Sequence, residues 1–527
     1  MRELTRAHGP MLTGEFLRLS ARRVPGRIAI VGAGRRLSYR ELDAEASRLT
    51  HALLHLGAGR DTRVAIISSN RPEYASVYFG CARAGVLLAH LSTRCTVENL
   101  VYMLDLIGAE ILFFESRFAA VVAQARASAP QLKHVIALDS AHNGESSHDA
   151  PNLHDLISSM PATPPDIDIR DTDPLGITFT GGTTGLPKAV LVSHRARAAT
   201  AFAAAVDFGL GENDIAAAST PLFHCAGLFV WFAPAIMLGA SVVTLSGWDV
   251  EQFIEATERE GITAAFFVPS QLNDLVSHPA FSAKRLRTLK NVGYAGAPMG
   301  RSLLERVQAA LPHVGFTENY GQSETCPLTI RCPGHGEDKL GTVGRPAFNV
   351  ELDIVDDVGR SLPTGRIGEI VTRGEQLFDG YYGDPEQTEA AFPLRDGWLW
   401  TGDVGYLDED GFLTLVDRSR DMLVSGGENV YPAEIENALY GHDAVAECAV
   451  FGIPDDHWGE VPAAHVVLSK NGTATENELI EFCAARIPRH KRPRLVRFVD
   501  ELPRTPVGKI RKAQIRDPYW RGRERNI

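Results

Sequence analysis

The chain has 527 residues, enough for several domain-sized units and for large cores that need neither disulfides nor structural metals. Its 44% hydrophobic and 22% charged content excludes a disordered or fibrous class. A net charge of −12 argues against nucleic acid and against adhesion to an anionic membrane, so any site for a phosphate-bearing ligand must be made positive locally.

The N-terminal stretch MRELTRAHGPMLTGEFLRLSARR lacks the apolar core of a signal peptide. Seven scattered cysteines with no CxxC fit a reducing compartment and speak against a zinc site, so a cytoplasmic location is expected. IAIVGAGR (28–35) carries a GxG without a full GxGxxG and reads as a hairpin rather than a dinucleotide fold. From VAIISS (64–69) onward, strand-like runs alternate with helical ones. PEYASVYFGCARAG ends its helical spacing on Gly85; VLLAHL, a helix near 97–107 and AEILFF follow. Cys225 to Trp248 carries no charge over a span long enough to cross a bilayer. Pro234, Gly239 and the β-like SVVTL (241–245) make it a buried helix, a glycine stop and a core strand instead. ITAAFFVPS (262–270) and LKNVGYAGAP (289–298) continue the alternation.

After residue 416 the elements become short and mixed. Pro432 opens a helix stopped by Gly441, Thr475 and Glu478 form a capping box, and VAECAVFGI, AAHVVLS and RLVRFV read as strands. The fold class is therefore α/β. A large layered domain (1–416), with βαβαβ-type sheets and a small barrel-like part, is expected to join a small mobile α+β domain (422–527) through a hinge at 417–421.

The strongest chemical signal is ITFTGGTTGLPKAVLVSH (177–194). A β-run ends at Thr180, and Gly181, Gly182, Thr183, Thr184 and Gly185 follow, then Lys188. Such a loop turns N–H groups and hydroxyls toward phosphate oxygens while the lysine supplies a point charge. By itself GGTTG is also an ordinary flexible turn, and it lacks Walker A spacing. Lysine is scarce here, 9 against 44 arginines, which makes Lys188 and the near-terminal Lys509 stand out.

FTGGTTGLPKAV resembles the phosphate-loop signature of the adenylate-forming superfamily, which includes acyl-CoA synthetases, firefly-type luciferases and peptide-synthetase adenylation domains. Further motifs occur in the family's order: STPLFHCAG (219–227), NYGQSE (319–324), GWLWTGDVG (397–405), DRSRDMLVSGGENVYPAEIE (417–436) and LPRTPVGKIRK (502–512). Together they span roughly residues 20–515. The resemblance implies an acyl-CoA synthetase using ATP, Mg²⁺ and coenzyme A, with a homodimer left open. In it Lys509, His224 and Glu324 are catalytic, and Glu324 holds Mg²⁺ against the triphosphate. The phosphate loop runs from Thr180 through Gly185 to Lys188. Tyr320 stacks on adenine beside Gly296, Ala297 and Pro298, with Asn319, Gly321 and Ser323 around the nucleotide. Asp403 and Arg418 take the ribose, and Arg420 is the hinge. Ser425, Gly426, Gly427 and Glu428 face CoA.

Phe223, Cys225, Leu228, Phe229 and Tyr294 are expected to line an acyl pocket with few charges, hence an aryl or medium-chain aliphatic acid. His224 alone would read as a core histidine, and its motif places it near the substrate carboxylate. Gly181, Ser323, Ala189 and Arg420 depart from the family's commoner residues without removing an essential charge. A carrier-loading adenylation enzyme is the first alternative, although no carrier or condensation domain follows Ile527 and TPLFHCAGLFVW offers no aspartate for an amino group. A luciferase-like oxygenase and a catalytically silent nucleotide- or acyl-binding protein are the others. The retained Lys188, Glu324 and Lys509 argue against silence.

Overall fold

The computed structural model describes residues 12–139, 150–181, 187–297, 299–394, 397–418, 421–425, 428–470, 472–504 and 510–521. Among them the strands form four sheets, of nine, seven, four and five strands.

The seven-stranded sheet is built on parallel strands Leu87–Leu91, Arg63–Ile67, Ile111–Phe114 and His134–Ala137, with Pro174–Gly181 parallel to Leu87–Leu91 at one flank. The nine-stranded sheet runs its central strands Gly315–Tyr320, Asn291–Tyr294, Ala264–Phe267, Ile215–Ala218 and Ser241–Thr244 in parallel. Their facing sides share one core with helices Thr13–Arg23, Tyr39–His55, Pro72–Ala84, Leu153–Ser158, His194–Asp207 and Ala233–Leu238 and the segment Ala226–Phe232. Each outer face is covered by its own helices: Val97–Ile107 and Ala119–Ala127 on one, Val250–Glu260, Pro269–Ser277 and Arg301–Ala310 on the other. The order is thus helix, sheet, helix, sheet, helix. Strands buried on both faces explain the nearly unbroken apolar runs in the sequence.

Residues 28–38 form the expected hairpin, with Gly32 opposite Arg35 and both turn residues, Ala33 and Gly34, at positive φ. Pro72–Ala84 begins on its proline and stops on Gly85 in the left-handed region. The uncharged stretch after Cys225 is a π-helical turn, Ala226–Phe232, then Ala233–Leu238, a left-handed Gly239 and strand Ser241–Thr244. No described helix is long and apolar enough to cross a membrane.

The expected barrel-like part is a four-stranded antiparallel meander, Glu351–Val355, Gly368–Arg373, Leu399–Leu407 and Leu413–Arg418. Among the described residues its strand path stays open instead of closing into a barrel. Beyond it a five-stranded sheet packs on helices Pro432–Tyr440 and Glu476–Ala484 around a separate core. The capping box is present, with the Glu478 N–H donating to Thr475 Oγ1 at 3.2 Å and the Thr475 N–H to Glu478 Oε2 at 2.7 Å. Gly441 ends its helix in the right-handed region, at φ −73°, so no left-handed cap is used there.

Candidate active site

Parallel strands deliver their following loops to one edge, and three motif-bearing loops leave the nine-stranded sheet at such ends. They follow Ile215–Ala218, Asn291–Tyr294 and Gly315–Tyr320, and carry residues 219–227, Gly296 with Ala297, and 321–326. The phosphate-loop motif comes from the other large sheet. Strand Pro174–Gly181 pairs antiparallel with Pro187–Ser193, placing Thr180 opposite Lys188 and Gly181 opposite Pro187. Gly182, Thr183, Thr184 and Gly185 lie outside the described residues. Ala189, which departs from the family's glycine, turns its methyl into the outer core of this sheet and accepts the Tyr382 N–H on its carbonyl.

One polar chain joins the two sheets. Lys188 Nζ sits 4.8 Å from the centre of the Tyr381 ring, and Tyr381 donates its hydroxyl to Glu324 Oε1 at 2.8 Å. The Phe378 N–H binds the Glu324 carbonyl at 2.8 Å. Burial pushes the Glu324 carboxyl above the usual range, opposed by the Tyr381 hydroxyl, a backbone N–H and the Lys188 charge. The Tyr381 hydroxyl engages Oε1 alone. A carboxylate suits Mg²⁺, which keeps most of its shell as water and phosphate oxygen. Among the described residues no cluster of three or more His, Cys, Asp or Glu side chains exists that could hold a metal by itself.

At the motifs expected to hold the nucleotide, Tyr320 Oη donates to Asp403 Oδ2 at 2.6 Å. Gln322 Nε2 donates to the same oxygen at 2.7 Å and to the Thr401 carbonyl at 2.8 Å. Strands Leu399–Leu407 and Leu413–Arg418 set Asp403 directly opposite Arg418. Asn319 is 7% exposed and its Nδ2 has no partner, as a donor kept for a base or sugar would be. Gly296 turns at φ +89° close by in sequence to exposed Ala297, and Pro298 lies outside the described residues.

On the side expected to take the acid, the loop bearing Phe223 and His224 is pinned by Asn70. Its Oδ1 accepts the Leu222 N–H at 2.7 Å and its Nδ2 reaches the Ala218 and Thr220 carbonyls at 2.9 and 2.8 Å. His224 is half-buried and turns Nδ1 back to the Ala226 N–H at 3.3 Å. Ser323 donates to Cys225 Sγ at 3.3 Å, and the Cys326 thiol, His224 and Ser323 together hold the Cys225 thiol below its usual range despite burial. Phe223, Leu228 and Phe229 are buried along the same turn.

Tyr294 does not belong with them. Strand alternation sends it to the outer core, where its hydroxyl bonds Glu318 at 3.0 Å and Arg331 at 2.6 Å. The neighbours facing the acid side are Gly293 and Ala295, and a Cβ on Gly293 would stand 2.7 Å from Phe208.

Ser425 pairs with Glu428 across a hairpin and with Gly459 beyond it. Gly426, Gly427, Arg420 and Lys509 lie outside the described residues. Arg504 and Ile510 bridge each other, so the two flanks of segment 505–509 lie side by side. Sequence reasoning missed Tyr381, Gln322 and Asn70. Gln322 was within reach, since it stands inside NYGQSE.

A hairpin lysine linked to a carboxylate, a second carboxylate held by a tyrosine, and an apolar turn thus stand at the positions where the adenylate-forming resemblance expects the site of acid activation by a nucleoside triphosphate. The chain belongs to the AMP-binding enzyme family, whose model matches residues 17–382, with the family's C-terminal domain at 434–509. It is an AMP-forming acid–thiol ligase working with ATP, Mg²⁺ and coenzyme A. It is 34% identical to fatty acid–[acyl-carrier-protein] ligase ScoC of Streptomyces coeruleorubidus, over 99% of this chain and 100% of that one. It is 35% identical to indoleacetate–CoA ligase of Aromatoleum aromaticum, over 93% and 95%. The ATP-bound crystal structure of MatB from Rhodopseudomonas palustris superposes with a TM-score of 0.88 at 28% identity, covering 97% and 99%.

Proposed function

We propose that the chain activates an aryl or medium-chain aliphatic carboxylic acid as acyl-AMP, releases pyrophosphate, and passes the acyl group to coenzyme A. The observation that carries this reading is the Lys188–Tyr381–Glu324 link, which sets a cation and a metal-ready carboxylate at the end of the phosphate-loop hairpin. Lys188 with the 180–185 loop neutralises the phosphates, and Glu324 would hold Mg²⁺, which adds further positive charge there. Asp403 and Arg418 orient the ribose, Tyr320 and Asn319 the base. His224 and the buried turn behind it receive the acid.

Lys509 bridges the carboxylate and the α-phosphate as charge develops between them. It then withdraws when the domain 422–527 swings about 417–421, bringing Ser425, Gly426, Gly427 and Glu428 to the thiol. Phe223, Cys225, Leu228 and Phe229 form the pocket wall. A carrier protein in place of CoA is the second reading, favoured by the similarity to ScoC.

The test is pyrophosphate and thioester formation across aryl, short, medium and long-chain acids, with and without CoA. CoA-dependent thioester is expected, whereas pyrophosphate without thioester would move the reading to a carrier acceptor. Lys509→Ala should lower adenylation by on the order of 10²–10³-fold while sparing thioester formation from added acyl-AMP. Equal loss of both steps would remove Lys509 from its role.

A further inference from the structure

Behind the acid-side turn lies a group of polar side chains that the nucleotide chemistry leaves unused. Arg197, on helix His194–Asp207, is 1% exposed and occupies the buried stripe it shares with Ala201 and Ala204. Its guanidinium stands 5.1 Å from the centre of the Phe229 ring, and the Cys326 thiol lies beside it. One Nη2 proton goes to the Gln376 carbonyl at 3.2 Å, while Nε and Nη1 have no partner. Among the described residues no carboxylate forms an ion pair with it, although its charge acts on the partly buried Asp379 from beyond contact distance.

Phe229 also touches Tyr78 and His90, with ring centroids 6.3 and 5.9 Å away. Tyr78 Oη, His90 Nε2 and Thr178 Oγ1 are each buried and unpartnered. His90 and Thr178 are register partners on neighbouring parallel strands, so their side chains share a face. Gly176, two residues before Thr178, keeps His90 Nε2 uncovered, since a Cβ there would stand 3.4 Å from it.

The group is rich in donors. His90 Nδ1 bonds Tyr74 Oη at 2.8 Å, and burial keeps the imidazole neutral, its pKa pushed down to about 3. If the phenol donates, both of its neighbours are satisfied and Nε2 carries the ring proton; the reverse leaves the phenol proton unpaired. Guanidinium N–H groups, an imidazole N–H and two hydroxyls thus gather from four elements around Phe229; the hydroxyls can accept as well as donate and the Gln376 carbonyl takes one guanidinium N–H, but Arg197 Nε and Nη1 are left without an accepting oxygen. Leaving buried donors unpaired costs free energy, so the site fits an acceptor-rich, negatively charged occupant.

We propose that the acyl site ends in this recess, and that the acid the enzyme activates carries a second carboxylate at its far end, bound by Arg197 with Tyr78 and His90. The proposal rests on the ligase reading for the position of the acid, because that reading makes Phe229, which the recess residues surround, a wall of the acid site. It departs from the sequence expectation of a tail without charge, because Arg197 lies outside the motif loops from which that expectation was drawn.

The experiment compares dicarboxylic acids with monocarboxylic acids of the same chain length, read as kcat/KM for thioester formation and as equilibrium binding by calorimetry. Wild type should prefer one diacid length over its monoacid by at least ~10-fold. Arg197→Met should lower that diacid by on the order of 10- to 100-fold and leave the monoacid unchanged or improved. Tyr78→Phe, which removes one hydroxyl, should act in the same direction more weakly. Equal turnover and equal binding of diacid and monoacid by wild type would overturn the proposal, making the donors a home for buried water, with no variant needed. If no acid yields thioester, the ligase reading fails, and calorimetry alone decides: diacid binding lost in Arg197→Met upholds the recess, and its absence in wild type refutes it.

Discussion

Glu324 sits where two requirements pull against each other. Burial disfavours its charge, and a role in holding Mg²⁺ needs that charge. The Tyr381 hydroxyl and Lys188 favour the ionised form without forming an ion pair that would consume both oxygens. Glu324→Gln keeps the shape and a hydrogen-bond acceptor for Tyr381 while removing the charge and its burial cost. The variant should therefore melt no lower than wild type, yet release pyrophosphate on the order of 10²-fold more slowly and require more Mg²⁺. Thermal melting together with a Mg²⁺ titration of pyrophosphate release checks both halves. A variant that melts lower and keeps its Mg²⁺ dependence would make Glu324 a structural carboxylate.

At the scale of elements, the acid side depends on how Ala226–Phe232 leaves the 219–225 loop. Gly227 is packed so tightly that a Cβ would stand 2.3 Å from the Pro221 carbonyl oxygen and 2.9 Å from its carbon. Backbone cannot yield as a side-chain tip does, so Gly227→Ala should displace the loop carrying Phe223 and His224. We expect a loss of about 1–3 kcal/mol in stability by urea unfolding, with KM for the acid rising more than KM for ATP. The periodic parts of such elements were legible beforehand: Pro72 and Gly85 bracket one helix, and Thr475 with Glu478 caps another. The π-helical turn was not, because its apolar residues look the same at either helical pitch. Nor were the pairings of Glu324 with Tyr381 and Leu222 with Asn70, 57 and 152 residues apart, which leave no periodic trace in the chain. Tyr294 was misassigned for a related reason: proximity in sequence to a motif loop says nothing about which sheet face a strand residue takes.

For the whole molecule, the proposed reaction has two half-reactions at one acyl carbonyl, where Lys509 and the coenzyme A thiol would take turns. The meander strand Leu413–Arg418 leads into segment 417–421, and Asp417 at its end already engages the small unit, accepting the Ala433 N–H at 2.8 Å near the start of helix Pro432–Tyr440. Lys512 pairs with Glu436 of that helix at 2.8 Å, and its charge is held by Asp417 and Asp421 as well. If residues 422–527 swing about the proposed hinge at 417–421, where Arg420 stands, these contacts of Asp417 with Ala433 and Lys512 would have to yield. Proline at that position fixes one dihedral near −65° and constrains the residue before it. Arg420→Pro should consequently separate the steps. Pyrophosphate release in the absence of CoA is expected to persist within about tenfold of wild type, while thioester formation from added acyl-AMP falls by on the order of 10²-fold or more. Equal effects on both steps would mean that one arrangement of the two units serves adenylation and thioester formation alike, and that Lys509 and the 425–428 turn reach the acyl group without exchanging places.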